Sequence, residues 1–194
     1  MVFFIIISVQ NRFKKTRYWL LSLSVKRRKD KMANIAVQLK SYVDEMSALN
    51  LQNENHEFVS KFWNTSTDFE TSRTVYLAAS SSISAAITKF TLVVQGNPNE
   101  EAYTSVCTAL FEPCEQLYMA TKMALFSGAG QCLSRHLLNT TRPILQGVYD
   151  VLCAKDGKNV KELTGRVWEY TEAAVRVPTS NQGAIKRELF EVSW

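Results

Sequence analysis

The apolar residues of the chain are spaced as they are in amphipathic helices. From residue 32 onward they recur three or four positions apart, which places them on one face of a helix with 3.6 residues per turn. Residues 90–94 could also form a strand, but the sequence offers no hairpin partner for it. The pattern therefore predicts an all-α protein. Its first helix is about four turns long, with apolar positions at Ile35, Leu39, Val43, Met46 and Leu49.

Residues that start or stop helices divide the rest of the chain. Gly128 and Gly130 lie between two long periodic segments and separate them. Pro178 ends a third segment, after which Ser180 can cap a short last helix. Links this short favour antiparallel neighbours. We therefore predict an up-and-down antiparallel bundle of about five long helices. After the first helix, the predicted ranges are about 57–94, 98–126, 132–153, 160–175 and 180–192.

The start of the third predicted helix has a strong local signature. Gly96 can end the preceding helix, Asn97 can cap the next one, and Pro98 suits the first helical position. Glu100 is placed to complete a capping box. Inside the helices, we expect Pro113 to produce a kink and Pro143 a kink or a local break, because proline lacks the amide proton that the helix requires.

Charge separates the chain into two parts. Residues 1–31 carry nine of the 23 basic residues and one of the 18 acidic residues, which leaves 14 basic and 17 acidic residues for 32–194. The second part is mildly acidic, so we expect no direct binding to nucleic acid. We predict a helical bundle domain over 32–194, preceded by an extension that is disordered or not native.

Three interpretations of the extension remain open. Lys26, Arg27, Arg28 and Lys29 form a basic cluster that fits a two-part nuclear import signal. A basic segment with aromatic residues also suits a membrane surface, although both apolar stretches of the extension are too short to span a bilayer. In the third interpretation, Met32 is the true start of the protein.

The residues that could carry chemistry form no complete site in the sequence. Gly128, Gly130 and a later Asp150 resemble part of a dinucleotide-binding turn, but Leu133 occupies the position of the third glycine. Cys132 and His136 lie four residues apart on a predicted helix, yet a structural zinc site needs four ligands. The four cysteines include no CxxC pair, so we expect reduced thiols. We predict no catalytic residue, metal or cofactor.

One spacing near the end of the sequence is distinctive. Trp168 follows Val167, Pro178 comes ten positions after Trp168, and Asn181 and Ala184 follow at intervals of three. Each has a structural interpretation: a large buried ring at Trp168, a helix stop at Pro178, a hydrogen-bonding or capping side chain at Asn181, and a close helix approach at Ala184. The pattern resembles a helix-joining segment of the cyclin-D-interacting (GCIP) family, which is also described as helix-loop-helix without a basic region.

The resemblance covers about residues 56–191 and implies a function through protein contacts. It implies a helical bundle without catalytic activity that binds D-type cyclins and helix-loop-helix transcription factors, restrains cell-cycle progression, and occurs in cytoplasm and nucleus. Family members continue into a second half, so we expect a sequence that stops at Trp194 to be truncated. An alternative is a cytoskeletal or scaffold bundle of the vinculin and catenin type. The sequence predicts no particular partner-binding residues and no membrane span.

Overall fold

The computed structural model describes residues 33–49, 67–96, 99–154 and 157–192. The predicted all-α class is confirmed: the described residues form six helices and no strand, and residues 90–94, the possible strand, are helical. The predicted residues 57–66 of the second helix and the basic cluster Lys26, Arg27, Arg28 and Lys29 lie outside the described residues. The helices are α1 (residues 33–48), α2 (Thr67–Gln95), α3 (Glu100–Phe126), α4 (Gln131–Cys153), α5 (Gly157–Val175) and α6 (Asn181–Val192).

Four long helices, α2 to α5, form a closed ring of neighbours. The α2–α3 interface is the most extensive, followed by α4–α5 and α2–α5, whereas α3 and α4 touch each other less. Two buried threonine pairs connect the ring: Thr91 to Thr164 across α2 and α5 at 2.7 Å, and Thr121 to Thr141 across α3 and α4 at 2.9 Å. Hydroxyl groups taken out of water therefore pair with each other between antiparallel helices.

Helix α1 lies against both α3 and α4, where these two helices have the smaller mutual contact. Tyr42 reaches Glu115 and Glu45 reaches Lys122, so α1 runs in the same direction as α3. On the other side, an Arg142 side-chain nitrogen donates to the Met46 carbonyl oxygen at 3.0 Å. The last carbonyl groups of a helix have no partner within that helix, so this arginine helps to cap α1.

The core is continuous through all six helices. The predicted inward face of α1 is confirmed, because Leu39 and Met46 are completely buried and Ile35 and Val43 nearly so. Burial of side chains of this size contributes about 1.5–3 kcal/mol each. Residues from every later helix complete the core, including Ile83, Ile87, Phe90, Leu110, Leu117, Leu133, Leu138, Ile144, Leu145, Val148, Val167 and Ala184.

The cap of α3 differs from the prediction. Asn99, not Asn97, is the N-cap, and its side-chain oxygen accepts the Ala102 amide at 2.8 Å. Both asparagines have a suitable side chain, and α3 begins at Glu100, two residues later than an N-cap at Asn97 would require. Two other predicted signals are confirmed: α2 ends before Gly96, and the Ser180 hydroxyl accepts the Gly183 amide at 3.1 Å.

Both internal prolines lie within unbroken helices. Pro113 is a buried residue of α3, and α4 continues through Pro143, so the local break considered at Pro143 is absent. Between these helices, Gly128 has a φ of +113°, a conformation that side chains rarely tolerate. The predicted helix-to-helix turn at residues 128–130 is therefore confirmed.

Helix α2 has an unusually apolar composition. It is the one described helix that is long and apolar enough to cross a membrane, and 33% of its most apolar window is buried in the protein. Its residues from Phe69 to Phe90 contribute to the same core as the other helices. Helix α2 thus supplies apolar side chains to the core, while two thirds of its most apolar window is not buried in the protein.

Candidate interaction surface

The thiols and the histidine were the first candidates for chemistry. Burial raises the pKa of Cys107 to about 11 and raises that of Cys114 further. Burial, with the Glu188 carboxylate nearby, also raises the pKa of Cys132. A thiolate is the reactive form of cysteine, so these environments disfavour nucleophilic chemistry.

Cys132 and His136 lie beside a third residue that the sequence did not reveal. Glu188, on α6, accepts a hydrogen bond from Arg135 at 2.9 Å and lies 3.9 Å from the His136 Nε2 atom. Within the described ranges, no group of three or more metal-ligating side chains has the geometry of a metal site. The contacts join the N-terminal half of α4 to α6.

The turn at residues 128–130 is occupied by another part of the fold. The Asn181 side chain accepts the Gly130 amide at 2.6 Å and donates to the Gly128 carbonyl at 2.9 Å. A nucleotide-binding turn would use such amides for phosphate. Here the Gly130 amide instead joins the α3–α4 turn to the start of α6.

The four residues of the distinctive spacing have different environments. Ala184 is completely buried, as its predicted role requires, and Asn181 makes the hydrogen bonds that its interpretation anticipated. Pro178 follows the end of α5 and borders a small cavity with Phe69. These three residues position the end of α5 and the start of α6.

Trp168 corrects a prediction. Its side chain was expected to be buried, but the residue is 46% exposed. Its indole Nε1–H donates to the Thr88 hydroxyl at 3.2 Å, which links the outer sides of α5 and α2. The adjacent Val167 is completely buried, because its side chain lies beside Gly147, where an added Cβ would come within 2.8 Å of Val167 Cγ2.

The first exposed apolar surface, the α2–α5 seam, consists of Leu92, Trp168 and Val175, which are 65%, 46% and 70% exposed. Ion pairs within α5 border this seam: Glu162 with Arg166 and Glu172 with Arg176, both at 2.7 Å. The apolar side chains are therefore accompanied by charges that are neutralised within their own helix.

The second exposed apolar surface, the α3 stripe, consists of Met119, Met123 and Phe126, which are 58%, 39% and 71% exposed. Their spacing of four and three residues places them on one face of α3. Scattered exposed apolar residues are common, but a contiguous set at helical spacing is typical of a binding surface.

A shallow groove of about 360 Å³ continues the α3 stripe along the α2–α3 interface. Its lining is mostly small or uncharged, with Lys89 and Glu112 as the charged members. Val75 is 37% exposed and lies seven residues before the groove residue Ser82. We name Val75, the groove and the α3 stripe the α2–α3 face.

Each of the two surfaces includes one member of a pair of adjacent apolar residues. Periodicity alone does not decide which member of such a pair faces the core. The helical spacing on α3 admits either Met123 or Ala124 as the inward residue, and the structure buries Ala124 at 3% exposure and leaves Met123 outside. The same holds for Val167 and Trp168 on α5, where Val167 is buried and Trp168 is exposed. In each pair the smaller side chain faces the core, so the larger one is available to a partner.

Comparison with known proteins agrees with the resemblance in the sequence. A family model described as "Grap2 and cyclin-D-interacting, N-terminal" matches residues 77–193, which is more than half of the chain. No curated protein and no solved structure gives a match. The matched range contains the α3 stripe, the groove, the α2–α5 seam and the Trp168 to Ala184 pattern.

Proposed function

Since the chain belongs to the Grap2 and cyclin-D-interacting family, we propose that it is a non-enzymatic regulator that binds a D-type cyclin through the outer surface of its helical bundle. The observation that supports this most directly is the set of exposed apolar side chains at helical spacing on α3. Covering such side chains with a partner removes apolar surface from water, which contributes favourably to the free energy of binding.

The surroundings of the candidate nucleophiles support binding over catalysis in this proposal. Burial raises the pKa of Cys107 and of Cys114, and Gly130 is hydrogen-bonded to Asn181. No nucleophile with an adjacent base and an oxyanion donor is assembled within the part of the chain that the structure describes. A protein of this kind acts by occupying a surface of its partner.

The proposal includes helix-loop-helix transcription factors as further partners, a restraining effect on cell-cycle progression, and action in cytoplasm and nucleus. The amphipathic helices of these transcription factors suit the exposed apolar faces of the bundle, since apolar grooves between helices receive amphipathic helices. The cyclin is the partner on which the proposal is tested.

The test is a titration of the purified full chain with a purified D-type cyclin in a calorimeter. We expect saturable binding with a negative heat-capacity change, because apolar surface is buried. An A-type cyclin is the matched control and is expected to bind at least about ten times more weakly. The absence of saturable binding to the D-type cyclin up to about 100 µM would contradict the proposal.

A further inference from the structure

We propose that the α2–α3 face, and not the α2–α5 seam, is the docking surface, and that its occupant is an amphipathic helix of the partner with a basic residue at one end. This inference rests on the proposed function, because the D-type cyclin is the partner in which we place that helix. Membership of the family specifies neither this surface nor the charge of the partner helix.

The α2–α3 face has the length and shape for a helix. Met119, Met123 and Phe126 extend over about 10 Å of α3 at 1.5 Å per residue. The groove continues this surface towards the N-terminal end of α3 and is lined by small side chains such as Ser82 and Ala85, which allow another helix to approach closely. Methionine side chains adapt to a partner's shape with little steric cost.

Two charged side chains line the groove of the α2–α3 face, Glu112 on α3 and Lys89 on α2. Glu112 lies on the outer side of α3, seven residues before Met119. In the described part of the chain, neither Glu112 nor Lys89 forms an ion pair. A lysine or arginine about 10 Å from the nearest apolar anchor of the partner helix would complement Glu112, and an acidic residue of the same helix would complement Lys89.

The α2–α5 seam is less suited to the same role. The Trp168 indole already donates to Thr88, and about half of its surface is covered by this chain. The acidic residues Glu162 and Glu172 are paired with arginines of their own helix. These two carboxylates are therefore neutralised within α5, whereas Glu112 and Lys89 of the α2–α3 face are not paired within the described residues.

The inference is tested with variants of the full chain that place charge on one surface at a time. Met119→Glu with Phe126→Glu alters the α2–α3 face, and Leu92→Glu with Val175→Glu is the matched control on the seam. The positions in each pair are similarly exposed, so both proteins are expected to fold, which thermal unfolding followed by circular dichroism checks. We expect the first pair to weaken binding of the D-type cyclin at least about ten-fold and the control pair less than about two-fold.

A second pair of variants tests the charge without altering the apolar stripe. Glu112→Lys is compared with Glu169→Lys, an exposed position on α5. We expect about a three-fold loss of cyclin affinity for Glu112→Lys, with a weaker salt dependence than that of the unaltered chain, and no change for Glu169→Lys. This pair also decides the question if the α3 double variant fails to fold.

The outcomes separate the two proposals. If the unaltered chain does not bind the D-type cyclin, the proposed function fails and this inference fails with it. If the unaltered chain binds but the α3 and Glu112 variants bind equally well, only the inference is overturned. Loss of binding in the Leu92 and Val175 control would move the docking surface to the α2–α5 seam.

Discussion

Helices α5 and α1 are held on the bundle in different ways. Helix α5 packs closely: Val167 lies beside Gly147 of α4, and Thr164 pairs with Thr91 of α2. Helix α1 combines buried aliphatic side chains with a polar cluster on its outer side. In that cluster, Glu45 accepts hydrogen bonds from Lys122 at 2.6 Å and from Tyr118.

The Tyr42 and Tyr118 rings add to the attachment of α1. They stack with their centroids 4.1 Å apart and an interplanar angle of 15°. The position of α5 therefore depends on the absence of a side chain at Gly147, whereas that of α1 depends in part on the ionised surface carboxylate of Glu45. The two helices should therefore respond to different perturbations.

The largest expected effect concerns the buried side of α1. Leu39→Ala removes a completely buried side chain and leaves a cavity, so we expect a loss of about 2–5 kcal/mol in the free energy of unfolding. Val37→Ala on the same helix alters a residue that is 66% exposed and should change it by less than about 0.5 kcal/mol. Urea unfolding of both variants measures the difference, and equal losses would contradict the assigned face of α1.

The next effect concerns the close packing of α5. In Gly147→Ala the new Cβ would lie 2.8 Å from Val167 Cγ2, and the short β-branched side chain has little freedom to move away. We expect a loss of about 1–3 kcal/mol. Gly165→Ala, where no atom beyond the chain neighbours and the backbone of its own helix lies within 4 Å of the new Cβ, should instead stabilise the protein by about 0.5–1 kcal/mol through helix propensity. Thermal unfolding that gave both variants the same sign would refute the close contact.

The outer attachment of α1 should depend on pH. Hydrogen bonds from Lys122 and then Tyr118 lower the pKa of Glu45 from its ordinary value of 4.5. A carboxyl group whose pKa is lower in the folded state stabilises the protein above its unfolded pKa, and this contribution is lost as the pH falls through the folded pKa. Stability should therefore fall more steeply in the unaltered chain than in Glu45→Gln between about pH 5 and pH 3. Parallel curves for the two proteins would show that the cluster does not stabilise α1.

The smallest effect is chemical and leaves the fold unchanged. Cys153 is exposed, whereas Cys107 and Cys114 are buried, and burial raises the pKa of Cys107 to about 11. We expect a thiol reagent to modify Cys153 first in the native protein and to reach Cys107 and Cys114 only on unfolding. Mass spectrometry of the digested protein locates the modified cysteines, and rapid modification of Cys114 would show that this part of the core opens readily.

Periodicity was sufficient for the helices and most of the core, because each helix buries one continuous stripe. It was insufficient where two apolar residues are adjacent, since both satisfy the pattern. Packing against Gly147 selects Val167 over Trp168, and that contact is distant in the sequence. The same limit applies to Met123 beside Ala124, and hence to the α3 stripe.

Long-range polar contacts were also beyond the sequence. Asn181 was predicted to hydrogen-bond, but its partners Gly128 and Gly130 lie more than 50 residues away. Glu188 gave no signal of its own, and it meets Arg135 and His136 only because α6 packs on α4. Such contacts depend on tertiary arrangement, which local patterns do not determine.

Hydrogen exchange of the full chain, with and without a D-type cyclin, tests the docking surface most directly. The account predicts slower exchange on binding in peptides that cover residues 112–127 of α3, and unchanged exchange in peptides that cover residues 161–176 of α5. Protection confined to residues 161–176 would contradict the account and assign the partner to the α2–α5 seam.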